Sequence, residues 1–87
     1  MSWYIYIARC GDGSLYTGIS TDPVKRLKRH NRGRGSGYVR SRGAAEVVYV
    51  EPYQNRSEAT QRECEIKSWR RAKKLGLIQH AAGRHRL

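Results

Sequence analysis

At 87 residues the chain is sized for one small domain. A chain of this length buries only about 60 to 65% of its unfolded surface, so a shallow site for a polymer is expected rather than a closed metabolite cavity. Eighteen lysines and arginines against seven acids give a net charge of +11, a field that draws polyanions and, with arginine dominant, suits phosphate. The absence of any run of 18 apolar residues excludes a membrane-spanning helix.

Residues Trp3 to Arg9 alternate with period two, Trp3, Ile5 and Ile7 against Tyr4, Tyr6 and Ala8, which predicts a strand. Gly11-Asp12-Gly13-Ser14 reads as a turn, and Leu15 to Gly18 as the returning strand of a hairpin. Whether Tyr16 shares a face with Tyr6 depends on strand register, which the pattern does not specify.

Thr21 or Asp22 is placed to cap the next helix, with Pro23 at its first position, where a missing N–H costs nothing. Val24 and Leu27 are expected to supply its apolar stripe. Arg26 and His30 share a face at i,i+4, and Lys25, Lys28 and Arg29 complete a very basic helix.

From Asn31 to Gly43, four glycines and four arginines fall in thirteen residues. This predicts a flexible polycationic loop that orders on a ligand, because ordering it alone is entropically costly. Ala45 to Glu51 reads as a third strand ended by Pro52. A long helix is predicted from Glu58 to about Leu75, with Ser57 as N-cap, Ala59, Ile66 and Trp69 on its buried face, and Gly76 as C′ cap. Glu63 lies in the middle of that apolar stripe, where a carboxylate must be paired, hydrogen-bonded or liganded. Leu77 to Ala82 suggests one more short helix before a basic tail.

The order is strand, strand, helix, strand, helix, with a short C-terminal helix, and the natural layered solution is a three-stranded sheet packed by helices. Cys10 and Cys64 form no CxxC pair and are expected to be free, structural thiols. Met1-Ser2-Trp3-Tyr4 lacks the charged and apolar regions of a secretory signal. A cytoplasmic protein is the expectation.

Phosphodiester hydrolysis requires a base for water, cations for the phosphoryl oxygens and help for the leaving oxygen. Glu63 could hold a divalent metal, Arg26 could grip the scissile phosphate, and Tyr6 or Tyr16 could act as base if a nearby cation lowered its pKa from about 10. His30 is a competing base. Singly, each has an ordinary reading: the tyrosines as sheet packing, Arg26 as a backbone-phosphate or solvated arginine, His30 as a helix-end residue, Glu63 as half of a buried pair with arginine.

The combination is more specific. Tyr4-Ile5-Tyr6, followed after nine residues by Tyr16-Thr17-Gly18 and then by Arg26, His30 and Glu63, resembles the GIY-YIG nuclease superfamily. It resembles in particular the small stand-alone bacterial members related to the structure-specific nuclease subunit that acts on branched DNA. The resemblance runs from Trp3 to about Leu77. It implies an α+β fold, a small three-stranded antiparallel sheet flanked by helices, with one nuclease domain over residues 1–80 and a flexible basic tail over 81–87. It also implies Tyr6 as general base, Tyr16 as orienting hydroxyl, and Gly18 as the residue keeping the strand open. Arg26 would be the phosphate clamp, His30 a phosphate support or proton relay, and Glu63 the single protein ligand of Mg²⁺ or Mn²⁺. The first motif lacks the glycine of the family name, and Thr17 stands where isoleucine is named.

The expected partner is DNA, RNA being left open, bound through Lys25, Arg29, Arg32, Arg34, Arg40 and Arg42. Such contacts hold phosphates without reading bases, so selection by DNA shape is expected, with a protein partner as a further source of target choice. Two alternatives stand beside the nuclease: a basic nucleic-acid-binding module without chemistry, and a degenerate nuclease domain acting through a partner.

Overall fold

In a computed structural model, the structure describes residues 2–31 and 45–84, and the side chains of residues 2–29 and 45–80. Two strands come first, β1 (Trp3–Cys10) and β2 (Leu15–Ser20), then helix α1 (Pro23–Asn31). Strand β3 (Ala45–Tyr53) and helices α2 (Arg56–Lys67) and α3 (Arg71–Arg84) follow. The strands form one antiparallel sheet in the order β2-β1-β3. This is the expected α+β arrangement, with a full fourteen-residue third helix where one short helix was expected.

The central strand β1 is covered on both faces, and its Ile5, Tyr6, Ile7 and Ala8 are all fully buried. Tyr6, Ala8 and Cys10 pack with Leu27 of α1 and with Ala45. Ile5 and Ile7 pack on the other side with Ala59, Ile66 and Ile78 of α2 and α3. Strict alternation along one strand thus divides the core into two layers.

The hairpin turn is closed by Cys10 N–H donating to Ser14 O at 2.8 Å and Gly13 N–H donating to Cys10 O at 2.9 Å. Gly13 takes a φ of +86°, a conformation that favours glycine. Asp22 is the cap of α1: its Oδ1 accepts from Lys25 N–H at 3.1 Å. The buried stripe of α1 is Pro23 and Leu27, not Val24 and Leu27. Val24 is 56% exposed; helix geometry allows Leu27 a same-face neighbour either three or four residues earlier, and the packing of α1 buries Pro23.

Strand β3 continues through Pro52 to Tyr53. As an edge strand it has a side without ladder partners, where a missing N–H is tolerated. A register shift between Ile7 and Ala8 leaves Val48 as the extra residue of β3, so that the neighbours Val48 and Tyr49 both pack in the Ile5 layer while Val47 packs in the Tyr6 layer.

The single helix expected from Glu58 to Leu75 is two helices. Asn55, not Ser57, is the N-cap of α2; its side chain accepts from Glu58 N–H at 2.9 Å. Ser68 ends α2: its hydroxyl donates to Glu65 O at 2.6 Å, and Trp69 N–H reaches back to Ile66 O at 3.0 Å. The chain then turns so that Trp69 and Leu77 both pack into the Ile5 layer. Gly76 lies inside α3 and is no C′ cap; Gly13 alone among the described residues has positive φ. Cys10 and Cys64 are free, as expected.

Candidate active site

The hairpin register answers the question that periodicity left open. Tyr6 stands opposite Gly18 and Ala8 opposite Tyr16, so Tyr6 and Tyr16 project from the same face of the sheet. Their ring centroids are 6.2 Å apart and the planes inclined by 44°. Gly18 is required by this packing. A Cβ at residue 18 would lie 2.8 Å from the Tyr6 hydroxyl oxygen, 3.0 Å from Tyr6 Cζ and 3.1 Å from Tyr16 Cε1. The Tyr6 phenol is therefore laid directly across the glycine backbone.

That phenol is buried, and its hydroxyl has no hydrogen-bond partner among the described residues. An unpartnered buried hydroxyl costs about 1–3 kcal/mol, which makes it notable in a domain of this size. Burial pushes the Tyr6 pKa up to about 12, and Tyr16 and the Glu63 carboxylate add to the rise. The Arg26 guanidinium opposes it, standing short of a formed hydrogen bond but close enough to favour the phenolate. Tyr16, Arg26 and Glu63, carried by β2, α1 and α2, thus all act on one hydroxyl group.

From sequence, Tyr6 or Tyr16 is a base on condition that a nearby cation lowers its pKa. Arg26 does pull the Tyr6 pKa down, but it is solvated, and desolvation of the phenol outweighs it in the protein alone.

Glu63 projects from the stripe that also bears Ala59 and Ile66. Its side chain is 18% exposed and pairs with the more exposed Lys67 at 3.4 Å. The expected alternatives were a metal ligand or half of a buried arginine pair; the observed partner is a lysine on the same helix at i,i+4, a weak solvated pairing. Among the described residues no group of three or more His, Cys, Asp or Glu could hold a metal ion. One half-buried carboxylate whose charge reaches an unpartnered hydroxyl would fit a hard, largely hydrated divalent cation, which needs few protein ligands.

Lys25 and Arg29 are exposed on α1, without a carboxylate partner among the described residues. The expectations placed on the His30 side chain and on Arg32, Arg34, Arg40 and Arg42 lie outside the described residues, as does the end of the 81–87 tail; α3 itself runs to Arg84.

Sequence reasoning missed a second polar cluster, on the Ile5 side of the sheet. Tyr49 and Tyr53 both donate to the Glu51 carboxylate, and Arg62 Nε donates to it at 2.8 Å and also pairs with Glu65. The cluster borders an open depression of about 590 Å³ lined by Glu51, Tyr53, Glu58, Gln61, Arg62 and Glu65. Its signal was the alternation Tyr49-x-Glu51-x-Tyr53, hidden because the strand was expected to stop at Pro52. The network ties β3 to α2, a structural role.

Residues 2–75 match the GIY-YIG catalytic domain. The chain belongs to the GIY-YIG family, an endonuclease family, and its fold and motif geometry agree with that membership. Within it the chain is similar to a UPF0213 protein of Staphylococcus aureus, 49% identical over 78 residues that cover 90% of this chain and 95% of the relative. Among solved structures it is similar to the UPF0213 protein BH0048 from Bacillus halodurans, with 40% identity and a TM-score of 0.58 over 91% of this chain and 84% of the other. It is also similar to the protein EF2693 from E. faecalis, with 35% identity and a TM-score of 0.65 over 100% and 93% of the two chains. No helix among the described residues is long and apolar enough to cross a membrane.

Proposed function

We propose that the protein is a metal-dependent endonuclease that hydrolyses phosphodiester bonds in DNA, selecting its target by shape rather than by base sequence. The observation that carries this reading is the convergence of Tyr16, Arg26 and Glu63 on the unpartnered Tyr6 hydroxyl above Gly18. A purely structural tyrosine would have its hydroxyl satisfied or replaced by phenylalanine.

Glu63 would hold Mg²⁺ or Mn²⁺, and the bound cation would supply positive charge to the site. Tyr6 takes a proton from water as the water oxygen bonds to phosphorus and the bond from phosphorus to the leaving ribose oxygen breaks. Arg26, exposed to solvent, meets charge developing on the phosphoryl oxygens. Tyr16 orients the phosphate or the water, and His30 supports the phosphate or relays a proton to the leaving oxygen. Lys25 and Arg29, with Arg32, Arg34, Arg40 and Arg42, hold flanking phosphates, which fixes orientation without reading bases. A single site of this kind cuts one strand, and a protein partner supplies any further choice of target.

The test is cleavage of labelled duplex, single-strand, flap and four-way-junction DNA with and without Mg²⁺ or Mn²⁺, beside Glu63→Ala. Metal-dependent cutting that collapses in Glu63→Ala, with binding retained, is expected. Equal cutting by both proteins would refute Glu63 as the ligand. Tight binding of every DNA without cutting would favour the basic binding module or the partner-dependent domain instead.

A further inference from the structure

A second cationic surface lies outside the site. Between Lys67 and Lys74 five of eight residues are basic: Lys67, Arg70, Arg71, Lys73 and Lys74. No acidic residue follows Glu65 to the end of the sequence. Arg70, Arg71 and Lys73 are exposed and Lys74 half-buried, and none pairs with a carboxylate among the described residues. The cluster opens α3, whose first turn contains no acid. Cations at that helix start oppose its positive end as well as one another, so helix stability does not account for this charge.

Two contacts fasten the cluster in place. Arg71 Nη2 donates to the carbonyl of Gly13 at 2.8 Å, beside the hairpin that bears Tyr16. Lys73 Nζ lies 4.3 Å from the centre of the Trp69 ring, whose body is packed into the core. Arg70 and Lys74 have neither contact. They are also near the site: Lys67 is one helical turn beyond Glu63, and Arg70 is three residues further. Even a fully extended chain there would leave Arg70 no more than about 16 Å from Glu63, at most roughly five base-pair steps of duplex.

We propose that this α2–α3 corner is a phosphate track that holds the DNA duplex beyond the point of cleavage, with Arg70 and Lys74 as its phosphate contacts. The proposal rests on the nuclease reading for the nature of the substrate. It makes charge complementarity at a fixed distance from Glu63, rather than the loop alone, the source of purchase on flanking DNA. Excess positive charge at a helix start, balanced by no acid, is then balanced by phosphates.

The test is equilibrium binding of a duplex of about 20 base pairs, followed by fluorescence anisotropy across a salt series. Wild type is compared with Arg70→Gln/Lys74→Gln, and circular dichroism checks that the two share a fold. Loss of two phosphate contacts should reduce the slope of log K against log salt by about 1.8. An unchanged slope would overturn the track. Cleavage is read in the same samples, which separates the two readings. A slope change without any cutting by wild type would retain the track and refute the nuclease, and cutting with no slope change would do the reverse.

Discussion

Replacing Gly18 by alanine tests the packing on which the site is built. The added Cβ would meet the Tyr6 hydroxyl oxygen at 2.8 Å and Cζ at 3.0 Å, well inside ordinary contact distances. The Tyr6 ring is fully buried and anchored in the central strand, so it has little freedom to retreat. Forcing one carbon into such a site costs about 1–3 kcal/mol. Against this, alanine recovers about 0.4–1 kcal/mol by restricting the unfolded chain. A net loss of about 1–2 kcal/mol should lower Tm by roughly 5–15 °C in a domain of this size. The partner in the clash can be removed independently. Tyr6→Phe deletes the nearest atom and also an unsatisfied buried hydroxyl, so alone it should raise stability by about 1 kcal/mol. In that background Gly18→Ala should cost less, with a coupling of at least about 0.5 kcal/mol in a double-mutant cycle followed by urea unfolding. Under the proposed function each single variant should also lose metal-dependent cleavage, Tyr6→Phe while becoming more stable. If Gly18→Ala costs the same in both backgrounds, the phenol does not lie across the glycine and the reasoning fails.

Thr17 offers a control on the opposite face of the same strand. Its hydroxyl is buried without a partner among the described residues, so the isosteric Thr17→Val should raise the urea midpoint, by about 1 kcal/mol in stability, without moving the Tyr6 site; a lower midpoint would show that the hydroxyl is satisfied in solution. Stability should also have an acid and an alkaline limit. Burial alone would raise the Glu51 pKa, but hydrogen bonds from Tyr49, Tyr53 and Arg62 hold it below its ordinary 4.5. Its contribution is therefore present above pH 4.5 and lost as pH falls through the lower folded value. Tyr6, Tyr49 and Tyr53 are each pushed from 10.0 to about 12, chiefly by burial. Their contribution is complete below pH 10 and lost as pH rises towards 12, because the unfolded chain releases those protons first. Urea midpoints across pH should show both declines, and Tyr49→Phe should flatten the alkaline one; a midpoint unchanged from pH 10 to 12 would contradict the burial of these phenols.

Much of this protein was legible because its local rules agree with one another. Period-two alternation along Trp3–Arg9 marked the central strand, Asp22-Pro23 marked the start of α1, and spaced tyrosines, Gly18, Arg26 and Glu63 carried the family resemblance. What was misread lay where a tertiary contact overrides an allowed local pattern. Residues 68–70 contain no glycine or proline, so nothing in their composition announced the break between α2 and α3; the Ser68 hydroxyl and the packing of Trp69 produce it. Val24 is an apolar residue left in solvent because Pro23 and Leu27 take the buried face of α1. Pro52 looked like a strand end and is an edge-strand residue, because only the sheet order reveals which strand has an open side.

The sequence by itself determined the family and the sign of the field: spaced tyrosines, Gly18, Arg26 and Glu63 carry the GIY-YIG likeness, and a net charge of +11 favours a polyanion. Only the tertiary structure decided how those residues meet. Register alone decides that Tyr6 and Tyr16 share a face, since a shift of one residue would put them on opposite sides of the sheet. Burial against α1 decides that the Tyr6 pKa rises, because desolvation of the phenol exceeds the opposing pull of Arg26. Neither quantity is a property of any residue or of any spacing; both arise from strands and helices brought together in space.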